Sequence, residues 1–172
     1  MVYCNIWCGC AGEHGVRPLK AVSKEHIDTL LHINFKAPLL ACKEFLKRQN
    51  SDATSIRNYL YISSIAQKIG EPGLSVYSGS KAAMTAAICC LAIELANKNI
   101  LVNSISPGWV ETSSSDRVKQ SMTDEAFSSI ESRYPLGLGQ TNDVAGLAGF
   151  LVHENRWITG QDYVIDGGRV IL

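Results

Sequence analysis

The sequence predicts an α/β layer fold on a mostly parallel sheet, and three observations predict it. Short apolar runs alternate with longer segments of helical spacing, and right-handed crossovers between parallel strands need helices of that length. The 172 residues are 46% hydrophobic, enough for one domain with a real core. No repeat, low-complexity tract or linker divides the chain, so residues 1–172 read as a single unit.

The elements follow in order. VYCNIWC is a short apolar run, read as a buried strand from about Tyr3 to Cys8, and it gives way to a loop over Gly9 to Gly15. Pro18 and Leu19 continue that loop. Ser23 has the character of an N-cap, and Glu25 lies in the first turn, where a carboxylate suits the helix dipole. Ile27, Leu30, Leu31, Ile33 and Leu40 keep helical spacing between Glu25 and Arg48, and Pro38 predicts a kink or interruption inside this helix. Residues 49–57 are polar and loop-like, and Tyr59 to Ile62 is a compact strand. Gly70, Pro72 and Gly73 mark a loop before a long Ala- and Leu-rich helix over Val76–Asn97. Ile100 to Ile105 is the next strand, stopped by Pro107 and Gly108. Residues 113–140 are polar and serine-rich, with one or two short helices. A helix over Asp143–His153, capped by Thr141 or Asn142, and a strand over Tyr163–Ile165 complete the series, closed by Gly167 and Gly168.

Composition excludes several function classes. Sixteen Lys+Arg balance sixteen Asp+Glu, so no net field draws the chain to nucleic acid or an anionic membrane. Aromatic residues are only 8% and are not interleaved with basic ones, which argues against nucleic-acid stacking. No apolar run approaches the ~18 residues of a bilayer span, and MVYCNIWCGC lacks the pattern of a signal peptide. Six cysteines are not needed as staples in a chain this apolar: Cys89 and Cys90 read as small helix fillers, and Cys4, Cys8 and Cys10 lack zinc-finger spacing. Reduced thiols in a cytoplasmic protein without a metal are the expectation. His14, His26, His32 and His153 are scattered, and each reads as solvent-exposed or helix-terminal.

The residues that carry chemistry begin with Tyr77-Ser78-Gly79-Ser80-Lys81 at the start of the long helix. A four-residue step puts Tyr77 and Lys81 on one face. A phenol with an unperturbed pKa of ~10 is a poor acid–base catalyst near neutrality. A neighbouring ammonium would lower that value and make tyrosine a usable proton donor and acceptor. Such pairs also occur by chance on helices, so their company matters. Ser63 and Ser64 stand at the carboxyl end of a predicted strand, Ser64 thirteen residues before Tyr77, where open parallel sheets bind ligands. Val102 to Thr112 repeats the plan of strand, Pro-Gly turn and hydroxyl residue.

Together these segments resemble the short-chain dehydrogenase/reductase family from about residue 6 to the C-terminus. Ser64, Tyr77 and Lys81 match its catalytic positions in type and spacing, and Asn34 in HINFKAPLL matches the asparagine of its tetrad. Pro107-Gly108-Trp109-Val110-Glu111-Thr112 is similar to the family's P-G-x-V-x-T, and Gly9-Cys10-Ala11-Gly12 to its N-N-A-G, keeping Ala11 and Gly12 but neither asparagine. The resemblance implies a partial Rossmann-like doubly wound sheet of about four strands. It also implies hydride transfer between NAD or NADP and a small-molecule carbonyl or alcohol. Ser64 would bond the substrate oxygen and Tyr77 would exchange its proton. Lys81 would hold the nicotinamide ribose while lowering the Tyr77 pKa, and Asn34 would hold a relay water. Ala11, Gly12, Pro107, Gly108, Val110 and Thr112 would line the cofactor, with Thr112 and the backbone near Val110 on the carboxamide. Residues 113–140 fall where the family carries its substrate lid. The helices over Glu25–Arg48 and Val76–Asn97 correspond to those through which members form homo-oligomers.

The family's opening strands and glycine-rich pyrophosphate turn have no counterpart here. Gly9, Gly12 and Gly15 follow a strand, but Pro18 and the lack of a helix directly behind them do not suit such a turn. The chain thus reads as short by roughly 80 residues, the size of a mononucleotide-binding half, with its first strand left as an open edge. Weak cofactor binding and little turnover are expected of these 172 residues. A working oxidoreductase is the preferred reading. The alternative is a truncated, catalytically weak or inactive relative acting as a non-catalytic or partner-completed subunit.

Overall fold

A computed structural model describes residues 6–10, 12–47 and 55–171. Four strands run parallel in the order β1 (Ile6–Gly9), β2 (Arg57–Ile62), β3 (Ile100–Pro107) and β4 (Asp162–Ile165). Trp7 pairs with Tyr59, Tyr59 with Val102, and Ile105 with Tyr163. Alternation along β2 sorts its side chains between two cores. Tyr59 and Tyr61 join Cys42, Phe45, Met84, Ile88 and Val102 on one face, while Leu60 joins Ile105 and Leu151 on the other. The first face is covered by α2 (Ala37–Leu46) and α3 (Ser75–Leu95), with α1 (Lys24–Leu31) packed beside α3, and the second by α6 (Thr141–Gly149) with its π-helical end Phe150–Glu154. Helices on both faces make the sheet doubly wound. Between β3 and α6 lie α4 (Ser113–Gln120) and α5 (Asp124–Glu131).

β1 is the sheet's margin among the described residues. Its Trp7 stacks on Tyr59 at 4.2 Å, and a side chain on Gly9, now part of the strand, would run into the Trp7 ring.

Ser23 caps α1 as expected, its Oγ accepting from the His26 N–H at 3.2 Å. The interruption predicted at Pro38 takes a different form. A π-helical turn, His32–Lys36, joins α1 to α2, and Pro38 sits in the first turn of α2. Pro38 has no N–H for the carbonyl of Asn34 four residues back, and the Tyr61 hydroxyl donates to that carbonyl at 2.8 Å. Tyr59 donates likewise to Pro38 O at 2.5 Å. Two core tyrosines of β2 thus hold the helix where its own ladder is irregular.

β2 begins two residues before the predicted strand. Arg57 and Asn58 are polar yet buried: the Arg57 guanidinium donates to Phe45 O and lies over the Phe45 ring, and Asn58 donates to Val152 O. The cap of α6 also differs from expectation. Gln140, rather than Thr141 or Asn142, precedes the helix, and its N–H donates to the Asp143 carboxylate at 2.7 Å. α3 with its 3₁₀ end, Ser75–Lys98, is long and apolar enough by length and composition to cross a membrane, although no such span is expected from the sequence. Here its inner side supplies Met84, Ile88, Ala92 and Leu95 to the core.

Candidate active site

The first turns of α3 carry Tyr77 and Lys81 toward the carboxyl ends of the strands. Lys81 is 4% exposed; its Nζ donates to Ile62 O at 3.0 Å and lies 4.9 Å from the Tyr61 ring centre and 5.9 Å from that of Tyr77. Burial lowers its pKa to about 8. Tyr77 is itself pushed above the ordinary phenol value by burial, and the opposing pull comes from a hydrogen bond with Ser64. This corrects the expectation that Lys81 lowers the Tyr77 pKa. With the ammonium 5.9 Å from the ring and itself desolvated, desolvation outweighs attraction.

Ser64 lies two residues beyond β2 and caps the 3₁₀ turn Ile65–Gln67, its Oγ accepting from the Ala66 N–H at 3.2 Å. Asn34 is fully buried inside the π turn. Its Oδ1 accepts from the Glu13 N–H at 3.0 Å, and its Nδ2 donates to Glu13 O at 2.9 Å and Ser80 Oγ at 3.0 Å. Both amide protons are thereby engaged, so Asn34 ties the loop after β1 to α3. The same loop brings Gly12 into the cluster: a Cβ there would lie 3.1 Å from Lys81 Nζ and 3.3 Å from Asn34 Oδ1. Ala11 lies outside the described residues.

Pro107 to Thr112 stand beyond the carboxyl end of β3. The Gly108 N–H donates to Ile165 O at 2.9 Å, and a Cβ at Gly108 would come within 2.8 Å of the Tyr134 ring and 3.0 Å of Asp166. Val110 forms an isolated bridge with Gly139. Thr112 Oγ1 accepts from the Ser115 N–H at 3.1 Å, so this hydroxyl caps α4.

Three features escaped the sequence reading. His14 is exposed, as expected, yet it sets its ring edge-on to Tyr77 at 4.8 Å; partial desolvation lowers its pKa, Glu13 pulls the other way, and Lys81 adds to the lowering. The only sequence signal was its place just past a strand end. Glu71 Oε1 accepts from both Arg133 at 2.9 Å and Arg169 at 2.7 Å, joining segments with no local pattern in common. Asp162 gathers polar side chains from β3 and from the turn that follows β2. Among the described residues no group of three His, Cys, Asp or Glu could hold a metal, and Cys8, Cys10, Cys42, Cys89 and Cys90 are free thiols.

A parallel, doubly wound sheet with a tyrosine–lysine–serine cluster beyond its strand ends defines a class of α/β oxidoreductase folds. A family model described as enoyl-(acyl carrier protein) reductase matches residues 5–169. Dehydrogenase/reductase SDR family member 4 of Pongo abelii is 36% identical over 151 residues, covering 87% of this chain and 53% of the relative. A 3-oxoacyl-[acyl-carrier-protein] reductase of Thermotoga maritima is 31% identical, covering 89% of this chain and 61% of its own length. A 4-hydroxyisoleucine dehydrogenase mutant solved with NADH and succinate superposes with a TM-score of 0.88 at 26% identity, over 98% of this chain and 69% of that one. A short-chain type dehydrogenase/reductase from Mycobacterium ulcerans gives 0.87 at 25% identity, over 96% and 60%. The chain belongs to the short-chain dehydrogenase/reductase family, and it spans about half to three-fifths of the length of these curated relatives.

Proposed function

We propose that these residues form the catalytic part of an oxidoreductase that moves hydride between NAD(P)(H) and a small carbonyl or alcohol. The observation that carries this reading is Lys81, buried one helical turn from Tyr77 with its Nζ 5.9 Å from the centre of that ring, beside a serine that pulls the Tyr77 pKa downward. The names of the relatives, reductases and dehydrogenases, support it. Tyr77 is the general acid for carbonyl reduction and the base in reverse. Ser64 donates its one hydroxyl proton to the substrate oxygen when substrate is bound, stabilising the negative charge that develops there during reduction. Lys81, charged below pH 8, stabilises negative charge in the same pocket.

The nicotinamide cofactor supplies the hydride or accepts it when bound. Gly12 fits that role: its bare backbone keeps open the space beside Lys81 Nζ that a side chain would fill. Tyr77, Lys81, Pro107, Gly108, Val110 and Thr112 would hold its nicotinamide end, Thr112 after releasing part of its capping role, with Ala11 and Gly12 as further cofactor-binding residues. Among the described residues no glycine-rich turn leads directly into a helix, so these residues bind NAD or NADP weakly by themselves. Residues 113–140 act as the substrate lid. Ile93, Cys89 and Cys90 on α3 and Leu40 on α2 are exposed, which supports a homo-oligomer through these helices.

The test is NADH and NADPH oxidation against a panel of carbonyl substrates, with Tyr77→Phe alongside. In any form of the protein that turns over, Tyr77→Phe lowers kcat roughly 10²–10⁴-fold, the range of general acid–base catalysis. Unchanged turnover in the variant overturns the reading.

A further inference from the structure

A buried polar network lies behind Ser64 and ties three elements to the turn that carries it. Asp162, the first residue of β4, has a side chain only 12% exposed. Its four partners all donate: Ser104 and Ser106 Oγ reach Oδ1 at 2.8 and 2.7 Å, while Gln67 Nε2 and Lys68 Nζ reach Oδ2 at 3.1 and 3.2 Å. Gln67 Nε2 is also 2.7 Å from Ser106 Oγ and 3.3 Å from Ser63 Oγ, which in turn lies 3.0 Å from Thr85 Oγ1. A carboxylate withdrawn from water is costly unless its oxygens are satisfied. Here they are satisfied, and the hydrogen bonds converge on one short piece of backbone.

That piece is the 3₁₀ turn Ile65–Gln67. Ser64 opens it, Gln67 closes it and Lys68 follows. The Ser63 N–H fixes the near end by donating to Ile105 O at 2.7 Å, and Asp162 fixes the far end through Gln67 and Lys68. Within the turn the Ala66 N–H donates to Ser64 Oγ. The serine's own proton is left free of the turn, and Ser64 pulls the Tyr77 pKa downward.

We propose that Gln67 and Asp162 are positioning residues for Ser64, locking the turn so that the serine hydroxyl is aimed at Tyr77. The proposal rests on the roles of Ser64 and Tyr77 given above and adds two residues that touch neither substrate nor cofactor. Asp162 acts as an acceptor toward Gln67, so asparagine can replace it. Its amide oxygen would face Gln67, and its nitrogen would donate to the Ser104 and Ser106 hydroxyls, which can also accept.

The experiment is NMR of the 172-residue chain labelled at tyrosine Cζ, with the Tyr77 signal assigned by Tyr77→Phe and thermal melts recorded beside it. The Cζ shift at neutral pH and its movement with pH both report the Ser64 hydrogen bond. Ser64→Ala is expected to move the Tyr77 midpoint upward, since that bond lowers it. Gln67→Ala and Asp162→Ala are expected to move it the same way, and Asp162→Asn to restore the parent value. If Asp162→Ala does not fold, Gln67→Ala, at a half-buried position outside either core cluster, decides alone. A Tyr77 signal that stays at its parent position in Gln67→Ala while Ser64→Ala moves it overturns the positioning role and leaves the catalytic reading standing. A signal unmoved by Ser64→Ala overturns both the serine–tyrosine pairing and the proposal built on it.

Discussion

Tyr77, Lys81 and Asn34 stand on elements enclosed by neighbours, whereas residues 113–140 rest on the body of the protein at a few points. Asn34 and Ser80 are fully buried, and Lys81 nearly so, while neither α4 nor α5 contains a buried residue. The segment is held by an edge-on contact of Phe127 with Trp109, the Tyr134 hydroxyl accepting from the Trp109 N–H, the Leu136 N–H on Gly167 O, Arg133 on Glu71, and, at its far end, the bridge of Gly139 with Val110. Local opening costs least where few apolar contacts must be broken. The protein therefore fixes the groups that exchange protons and leaves lightly held the segment proposed to cover a substrate.

That contrast can be broken at its rigid end first. Asn34→Ala removes both bonds to Glu13 and the bond to Ser80, leaving buried polar groups unmatched beside a small cavity. A loss of about 4 kcal/mol is expected in urea melts; a loss below about 1 kcal/mol would place Asn34 outside the framework. Lys81→Met comes next and depends on pH. Burial holds Lys81 at about 8 against an ordinary 10.5, so between those values the unfolded chain binds more protons than the folded one. The cost of the buried charge is complete below pH 8 and fades as pH rises to 10.5. Removing the charge should make the variant more stable at pH 7 by on the order of 3 kcal/mol, less about 1 kcal/mol for the lost Ile62 bond. Melts at pH 7, 9 and 10.5 should show that lead disappearing; a constant difference contradicts the shift.

Tyr61→Phe leaves the Asn34 carbonyl without its hydroxyl donor and should cost about 1–2 kcal/mol, read in the same melts. The smallest effect belongs to the lid. Glu71→Gln weakens a partly exposed contact to two arginines and should change global stability by less than about 1 kcal/mol. Faster hydrogen exchange confined to residues 124–133 would sharpen the contrast; faster exchange spreading into α3 would erase it.

Much of this framework is legible in the sequence because its signals are local. Tyr77 and Lys81 are one turn apart, Ser64 ends an apolar run, and Ser23 precedes a helix it caps. What escaped depends on partners far along the chain. Asn58 enters β2 because Val152, 94 residues away, accepts from it. The π turn depends on Tyr61 reaching Asn34, and His14 matters because Tyr77 folds against it. The lysine's influence on Tyr77 was misjudged for a related reason: residue spacing shows that two groups meet but not how dry their surroundings are.

The turn at His32–Lys36 has a consequence for insertions and deletions. A π-helical turn accommodates one residue more than an α-helical turn. Deleting a single residue there would carry α1 into α2 at the α-helical repeat, still broken at Pro38, rotating everything upstream by about 100°. Leu30 would leave the core face and Ser23 would be carried away from its present place. At this point the chain can absorb a wrong side chain more easily than a wrong count.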